Sequence, residues 1–137
     1  MIFLDTGYFL ALFNPRDKLH QRAVNWSVQT KEQLLVSEYV LWECVNAFSG
    51  LTERNAAHAI VQYVRAEGGS ELISASEALF QAGLELHRQR PDKEWSLTDC
   101  ISFHIMEDRK IQKAFAYDQH FEQAGFTALL RQDPPET

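Results

Sequence analysis

The chemistry this chain could perform rests on four acids in unusual company. Asp5 ends the apolar run Met1-Ile2-Phe3-Leu4, and Asp118 ends the run Lys113-Ala114-Phe115-Ala116-Tyr117. Asp99 lies in the first turn of a stretch from Ser96 to Met106. There Cys100, Ile101, Phe103, Ile105 and Met106 leave little room for a solvent face. Glu43 has Tyr39, Val40, Asn46 and Ala47 one helical turn away, and no arginine or lysine there to neutralise it. Each acid has a plain structural reading. Asp5 and Asp118 suit turns, Asp99 completes a Ser-x-x-Asp capping box with Ser96, and Glu43 suits a buried pair with a distant arginine. Together they make a different case, because a buried charge is costly unless it is paired or faces a cation. A cluster of like charges repels itself until a divalent ion sits within it, and an all-oxygen donor set favours Mg²⁺ or Mn²⁺ over Zn²⁺. The matching chemistry is metal-assisted attack of water on a phosphodiester. The five histidines fall in no His-Glu-x-x-His or other zinc spacing and read as surface or supporting residues.

The elements that must position these acids alternate between strand and helix. Met1 to Leu4 has the continuous apolar pattern of a fully buried parallel strand, and Thr6 can cap the segment Tyr8 to Phe13. Asp17 caps a helix with Leu19, Ala23, Val24 and Trp26 on its apolar side. Leu34 to Val36 is a second strand, and Ser37 caps a helix from Glu38 to about Phe48. Thr52 opens a helix with Ala57, Ile60, Val61 and Val64 at helical spacing, ended by Gly68-Gly69. Glu71 to Ile73 is a short strand, and the box Ser74-Ala75-Ser76-Glu77 opens a helix to about Arg90. The central helix follows Ser96 and runs to about Arg109; Lys113 to Tyr117 is a further strand, and Thr127 to Leu130 is an edge strand. This alternation predicts an α/β fold with a mainly parallel sheet. In such sheets ligands bind at the carboxyl ends of the strands, where Asp5 and Asp118 fall.

Length and composition bound the answer. At 137 residues the chain is expected to form one domain over 1–131, with a disordered tail over 132–137. Hydrophobic residues make up 45% and charged residues 23%, ordinary for a soluble globular protein. Cys44 and Cys100 lie far apart in apolar runs, which predicts reduced, buried thiols and a cytoplasmic protein. The apolar N-terminus lacks a basic leader and is broken by Asp5, so neither a signal peptide nor a membrane span is expected. The formal charge of −6 is the wrong sign for holding nucleic acid by charge alone, unless metal neutralises some acids or basic residues gather on one face. Candidate phosphate contacts are Arg16, Lys18, Arg88, Arg90, Lys93, Arg109, Lys110 and Lys113, each otherwise a solvated surface charge.

These residues, in this order, resemble the PIN-domain ribonucleases, most closely the VapC-like toxins of prokaryotic toxin–antitoxin pairs. The resemblance runs through Ile2-Phe3-Leu4-Asp5-Thr6, Asp17 with His20 and Ala23, and Glu43. It continues through Leu97-Thr98-Asp99-Cys100-Ile101-Ser102-Phe103, Ala116-Tyr117-Asp118-Gln119-His120-Phe121 and Gly125-Phe126. It implies a Rossmann-like α/β/α sandwich that cleaves single-stranded or looped RNA with Mg²⁺ or Mn²⁺. Asp5, Glu43, Asp99 and Asp118 take the role of metal ligands, and Thr6, Ser96 and Thr98 stand where hydroxyl residues support the site. It further implies a small antitoxin protein as partner and a homodimer, for which Trp26, Phe48 and Tyr63 are the candidate exposed aromatics.

One departure stands out: the family often carries Thr or Ser two residues before the last acid, where this chain has Ala116. Loss of a hydroxyl that places a ligand or water would make cleavage weaker or more selective. Two alternatives keep the same acids in view. The first is a non-catalytic PIN-fold module that binds RNA or protein. The second is a phosphoryl-transfer or receiver-type α/β protein, against which stand Gly7 in place of a second acid and the lack of a well-placed late-strand lysine.

Overall fold

The computed structural model describes residues 1–66 and 68–135. Five strands form one all-parallel sheet: β1 (Ile2–Leu4), β2 (Leu34–Ser37), β3 (Glu71–Ile73), β4 (Lys113–Phe115) and β5 (Thr127–Ala128). Their spatial order is β3-β2-β1-β4-β5. Ile2 is paired with Leu34 on one side and Lys113 on the other, so β1 is the middle strand. The three residues of β1 are all buried, as expected for a parallel strand covered on both faces.

Helices fill the connections: α1 (Thr6–Phe13), α2 (His20–Gln29), α3 (Glu38–Ala47), α4 (Arg54–Arg65), α5 (Glu77–Gln89), α6 (Leu97–Asp108) and α7 (Gln119–Gln123). The first four pack among themselves, and α6 packs against α5 and α7, giving the layers of an α/β/α sandwich. The tightest approach lies between α5 and α6. At Gly83 a Cβ would meet Ile101 Cγ1 at 2.3 Å, so only glycine lets these helices come so close. Gly125, at φ +95°, makes the turn from α7 into β5 that a residue with a side chain would resist. The core is continuous through the sheet, from Phe3, Phe9 and Leu35 to Phe115, Phe121 and Leu130, all fully buried. Cys44 and Cys100 are free and buried within it.

Several expectations shift at element ends. The segment after β1 is capped by position not by Thr6 but by Asp5, and Thr6 is the first helical residue. Helix α2 starts at His20, later than expected, after a turn in which the N–H of His20 donates to the Asp17 carbonyl at 2.9 Å and the N–H of Leu19 to the Asp17 carboxylate at 2.8 Å. The edge strand closes after two residues and passes into a 3₁₀ turn, Leu129–Arg131. Two of the aromatics expected at the surface are core residues: Trp26 and Phe48 are 8% and 6% exposed. The physical reason for Trp26 is long-range. Its ring lies 5.8 Å from that of Phe115, and its Nε1–H donates to the carbonyl of Gln132 at 2.9 Å. The same contact holds the start of the segment expected to be a tail, where Asp133 pairs with Arg22 at 2.9 Å. Glu136 and Thr137, the end of that segment, lie outside the described residues. Among the described residues no helix is long and apolar enough to cross a membrane.

Candidate active site

Chain connections leave β1 toward β2 on one side and reach β4 on the other, so strand order reverses beside β1. Such a reversal opens a crevice at the carboxyl ends of the two strands. Asp5 follows β1 and Asp118 lies beyond the end of β4, on either side of this crevice; the N–H of Asp5 donates to the carbonyl of Phe115 at 3.2 Å and so extends the pairing of the two strands to the site. Helix α3 brings Glu43 and the first turn of α6 brings Asp99. All four acids line one cavity of about 700 Å³, together with Thr6, Ser96, Lys18, Tyr117, His120 and Arg131. Asp17 and Glu94 line it as well, so the cavity is strongly acidic.

Each acid is held differently. Asp5 sits at the N-terminus of α1 without using its carboxylate as a cap. Burial pushes its carboxyl up from 3.8 to about 7; the charges of Asp99, Glu43 and Asp118 add to this, and the Thr6 N–H partly offsets it. Glu43 is half-buried, and its partner is a hydroxyl instead of the guanidinium of a buried ion pair: Thr6 Oγ1 donates to Oε1 at 2.6 Å. Asp99 does complete a capping box. Its N–H donates to Ser96 Oγ at 3.0 Å, and its Oδ2 accepts from the N–H of Ser96 at 3.1 Å. The same Oδ2 lies 3.0 Å from His120 Nδ1, so the capping carboxylate also faces the cavity. Asp118 caps α7 by accepting from the N–H of His120 at 2.9 Å, and His120 Nδ1 lies 3.3 Å from Asp118 Oδ1.

Of the three hydroxyl residues, Thr6 and Ser96 line the cavity. Thr98 instead lines a shallower hollow beside it, with Tyr39, Trp42, Asn46 and the shared Glu43. Ala116 is fully buried, and its carbonyl accepts from the N–H of Leu130 at 3.1 Å. Cys44, next to Glu43, has its thiol pushed far up by burial and by Asp5 and Glu43, which keeps it from acting as a nucleophile. Most candidate phosphate contacts lie away from the cavity, on surface acids. Arg88 pairs with Glu85, Arg90 and Lys93 with Asp92, Arg109 with Glu71, and Lys113 with Glu32. Lys18 alone of that set lines the cavity. His120, Tyr117 and Arg131 were not singled out as site residues by sequence. His120 carried a signal, standing two residues past Asp118 where a turn folds back; Arg131 carried none.

The donor set suits a hard divalent ion: carboxylate and hydroxyl oxygens, one carboxyl raised by burial and by its neighbours' charge, and no arginine or lysine paired with Asp5, Glu43, Asp99 or Asp118 among the described residues. Those residues hold no ready cage of three or more His, Cys, Asp or Glu side chains. Another cleft, of about 530 Å³ between α5 and α6, is walled by Leu86, Trp95, Phe103 and Phe126 and lacks strand-end acids.

A parallel sheet whose point of reversal gathers acids from two strand ends and two helices defines an α/β protein built around an acidic, cation-suited crevice. The chain belongs to the PIN domain family, whose model matches residues 2–127. It is 30% identical over 132 residues to the 23S rRNA-specific endonuclease VapC20 of Mycobacterium tuberculosis, covering 94% of this chain and 98% of that protein. The crystal structure of Mycobacterium tuberculosis VapC20, described as a Sarcin-Ricin loop cleaving toxin, superposes with a TM-score of 0.87. That match has 26% identity over 94% of this chain and 98% of that one. FitAcB from Neisseria gonorrhoeae shares the fold, with a TM-score of 0.63 at 17% identity over 93% of this chain and 95% of that chain.

Proposed function

We propose that this protein is a Mg²⁺- or Mn²⁺-dependent endoribonuclease, the toxin of a toxin–antitoxin pair, acting on a looped ribosomal RNA. The observation that carries the reading is the meeting of Asp5, Glu43, Asp99 and Asp118 on one crevice, with the Asp5 carboxyl raised to about 7 by burial and by the other three. These four residues would hold the ion. When bound, it supplies a lowered pKa for the attacking water and charge stabilisation at the phosphate. The chain's own groups prepare the site. Thr6 aims Glu43, the Ser96 N–H and His120 aim Asp99, and the His120 N–H aims Asp118. Asp5 must release its proton before it can bind a cation, so ion binding and proton release are coupled at its carboxylate. Mg²⁺ retains several waters and is commonly bound through one or two carboxylates, so not all four acids need touch it directly.

The catalytic unit is the domain over 1–131, and its partners are RNA, a small antitoxin protein and a second copy of the chain. The relatedness to a toxin that cleaves the sarcin–ricin loop supports that substrate class. Trp42, at 64% exposed, and Phe80 and Leu84 give apolar surface for protein partners. The deciding experiment is cleavage of a sarcin–ricin hairpin and of an unstructured RNA in Mg²⁺, Mn²⁺ and EDTA. Cleavage in either metal, abolished by EDTA and by Asp99→Asn, is the expected result. Cleavage undiminished in EDTA would replace the metal mechanism, and binding without cleavage would make the fold a recognition module.

A further inference from the structure

The mouth of the acidic crevice carries two cations on one aromatic ring. Lys18 Nζ lies 5.5 Å from the centroid of the Tyr117 ring, and the Arg131 guanidinium carbon lies 5.1 Å from the same centroid. All three residues line the cavity that holds Asp5, Glu43, Asp99 and Asp118. Arg131 is held from two further sides: it donates to the carbonyl of Tyr117 at 2.9 Å and pairs with Glu122 at 2.9 Å. Lys18 is exposed and, among the described residues, forms no ion pair within 4.0 Å. Six carboxylates line the same cavity, so charge alone would draw both cations down among them. Both instead lie within cation–π reach of the one ring, and Arg131 is fixed further by Glu122 and by the Tyr117 carbonyl. Tyr117 directly precedes Asp118, so one Cα step of about 3.8 Å separates this platform from a site acid.

A crevice of this sign repels a polyanion, and cations at its rim are what a nucleic-acid backbone needs in order to approach. We propose that Lys18 and Arg131, held on the Tyr117 ring, form a clamp for the RNA backbone phosphate next to the one being cut. Tyr117 is the positioning residue, and the two cations make the contact. The clamp rests on the ribonuclease reading for the identity of its ligand, and its test is separable from that reading.

The probe is a fluorescein-labelled sarcin–ricin RNA hairpin, bound to the full protein in EDTA across a series of KCl concentrations. A gel of the same samples, with and without Mg²⁺, reports cleavage independently. Lys18→Gln and Arg131→Gln are each expected to weaken binding severalfold and to lower the slope of log Kd against log[KCl] by about 0.7 to 1. Tyr117→Leu should weaken binding without removing a charge, and Tyr117→Phe should restore most of the loss. Arg54→Gln, at an exposed position at the start of α4 away from the cavity, should match the parent protein. In Mg²⁺ the two cation variants should raise KM with kcat retained. If Arg131→Gln unfolds through loss of its Glu122 pair, Lys18→Gln carries the test, since Lys18 supports no ion pair. Slopes for Lys18→Gln and folded Arg131→Gln equal to that of Arg54→Gln overturn the clamp, even where the gel shows normal cleavage. Reduced slopes support Lys18 and Arg131 as phosphate contacts, even where no cleavage is seen and the ribonuclease reading falls.

Discussion

Thr6 Oγ1 donates a 2.6 Å hydrogen bond to Glu43 Oε1, tying the first turn of α1 to the middle of α3. The two residues come from different strand–helix connections, and the bond sets the direction of a carboxylate that lines the acidic cavity. Thr6→Val keeps the shape and removes the donor. Groups that orient a metal-binding carboxylate commonly carry about 10- to 100-fold in affinity or activity. Thr6→Val should therefore lower Mg²⁺-dependent cleavage by that order, and Thr6→Ser should recover most of it. Cleavage in Thr6→Val equal to the parent protein would remove Thr6 from the site.

Asp5 makes the metal-free protein sensitive to pH. Burial, with the charges of Asp99, Glu43 and Asp118, raises its carboxyl from 3.8 to about 7. Between those values the folded protein keeps a proton that the unfolded chain has released. The stability tied to that proton is complete below about pH 3.8 and is lost as pH rises through about 7. Asp5→Asn should flatten this dependence and gain stability at pH 8 on the order of a few kcal/mol at most. Urea titrations in EDTA at pH 5 and pH 8 measure it. A variant clearly less stable than the parent at both values would make Asp5 a structural partner.

Metal should reverse the cost that the acids impose on folding. Mg²⁺ at pH 8 is expected to raise the melting temperature of the parent protein, and to do so much less in Asp5→Asn or Glu43→Gln. Because Asp5 must lose a proton to bind, the Mg²⁺ effect should shrink as pH falls below about 7. Equal shifts in the parent and both variants would place the ion elsewhere.

His120 touches two of the acids, at 3.0 Å from Asp99 and 3.3 Å from Asp118, without being one of the oxygen donors. His120→Ala should slow cleavage by about 10- to 100-fold, far less than Asp99→Asn, which should reduce it to background. His20 is a contrasting case. Its Nδ1 lies 2.7 Å from the carbonyl of Ala11, joining α2 to α1, so His20→Ala should cost stability more than turnover. A collapse of cleavage in His120→Ala to the level of Asp99→Asn would point to proton transfer by the imidazole.

Two glycines should respond in opposite ways to one methyl group. Gly83→Ala drives a Cβ to 2.3 Å from Ile101 Cγ1 between α5 and α6, and overpacking of this kind costs about 1–3 kcal/mol. At Gly7 a Cβ meets nothing within 4 Å, so Gly7→Ala in α1 should hold stability or add up to about 1 kcal/mol. Chemical denaturation of the two variants side by side decides it. A Gly83→Ala protein as stable as the parent would mean that α6 can shift on α5.

Much of this molecule is legible in its linear pattern because burial and hydrogen bonding leave local marks. The apolar run Ile2-Phe3-Leu4 carries the pattern of a strand covered on both faces, and the Ser96–Asp99 box set the start of α6. Acids directly after such runs marked strand ends, and Glu43 was conspicuous because its helical neighbours are apolar or uncharged. Strand order leaves no such mark. That β4 lies beside β1, bringing Asp118 to Asp5 across more than a hundred residues, is decided by how the helices pack on the sheet. The same limit hid the burial of Trp26, whose cover comes from Phe115 and Gln132, far along the chain. It also hid the partners of the site. The hydroxyl of Thr6 could equally have capped its own helix, and Arg131 is an ordinary surface arginine until the fold sets it over Tyr117. Sequence determines which groups are too costly to leave unpartnered; tertiary structure decides which partner each one meets, because those partners come from elements that only packing brings into reach.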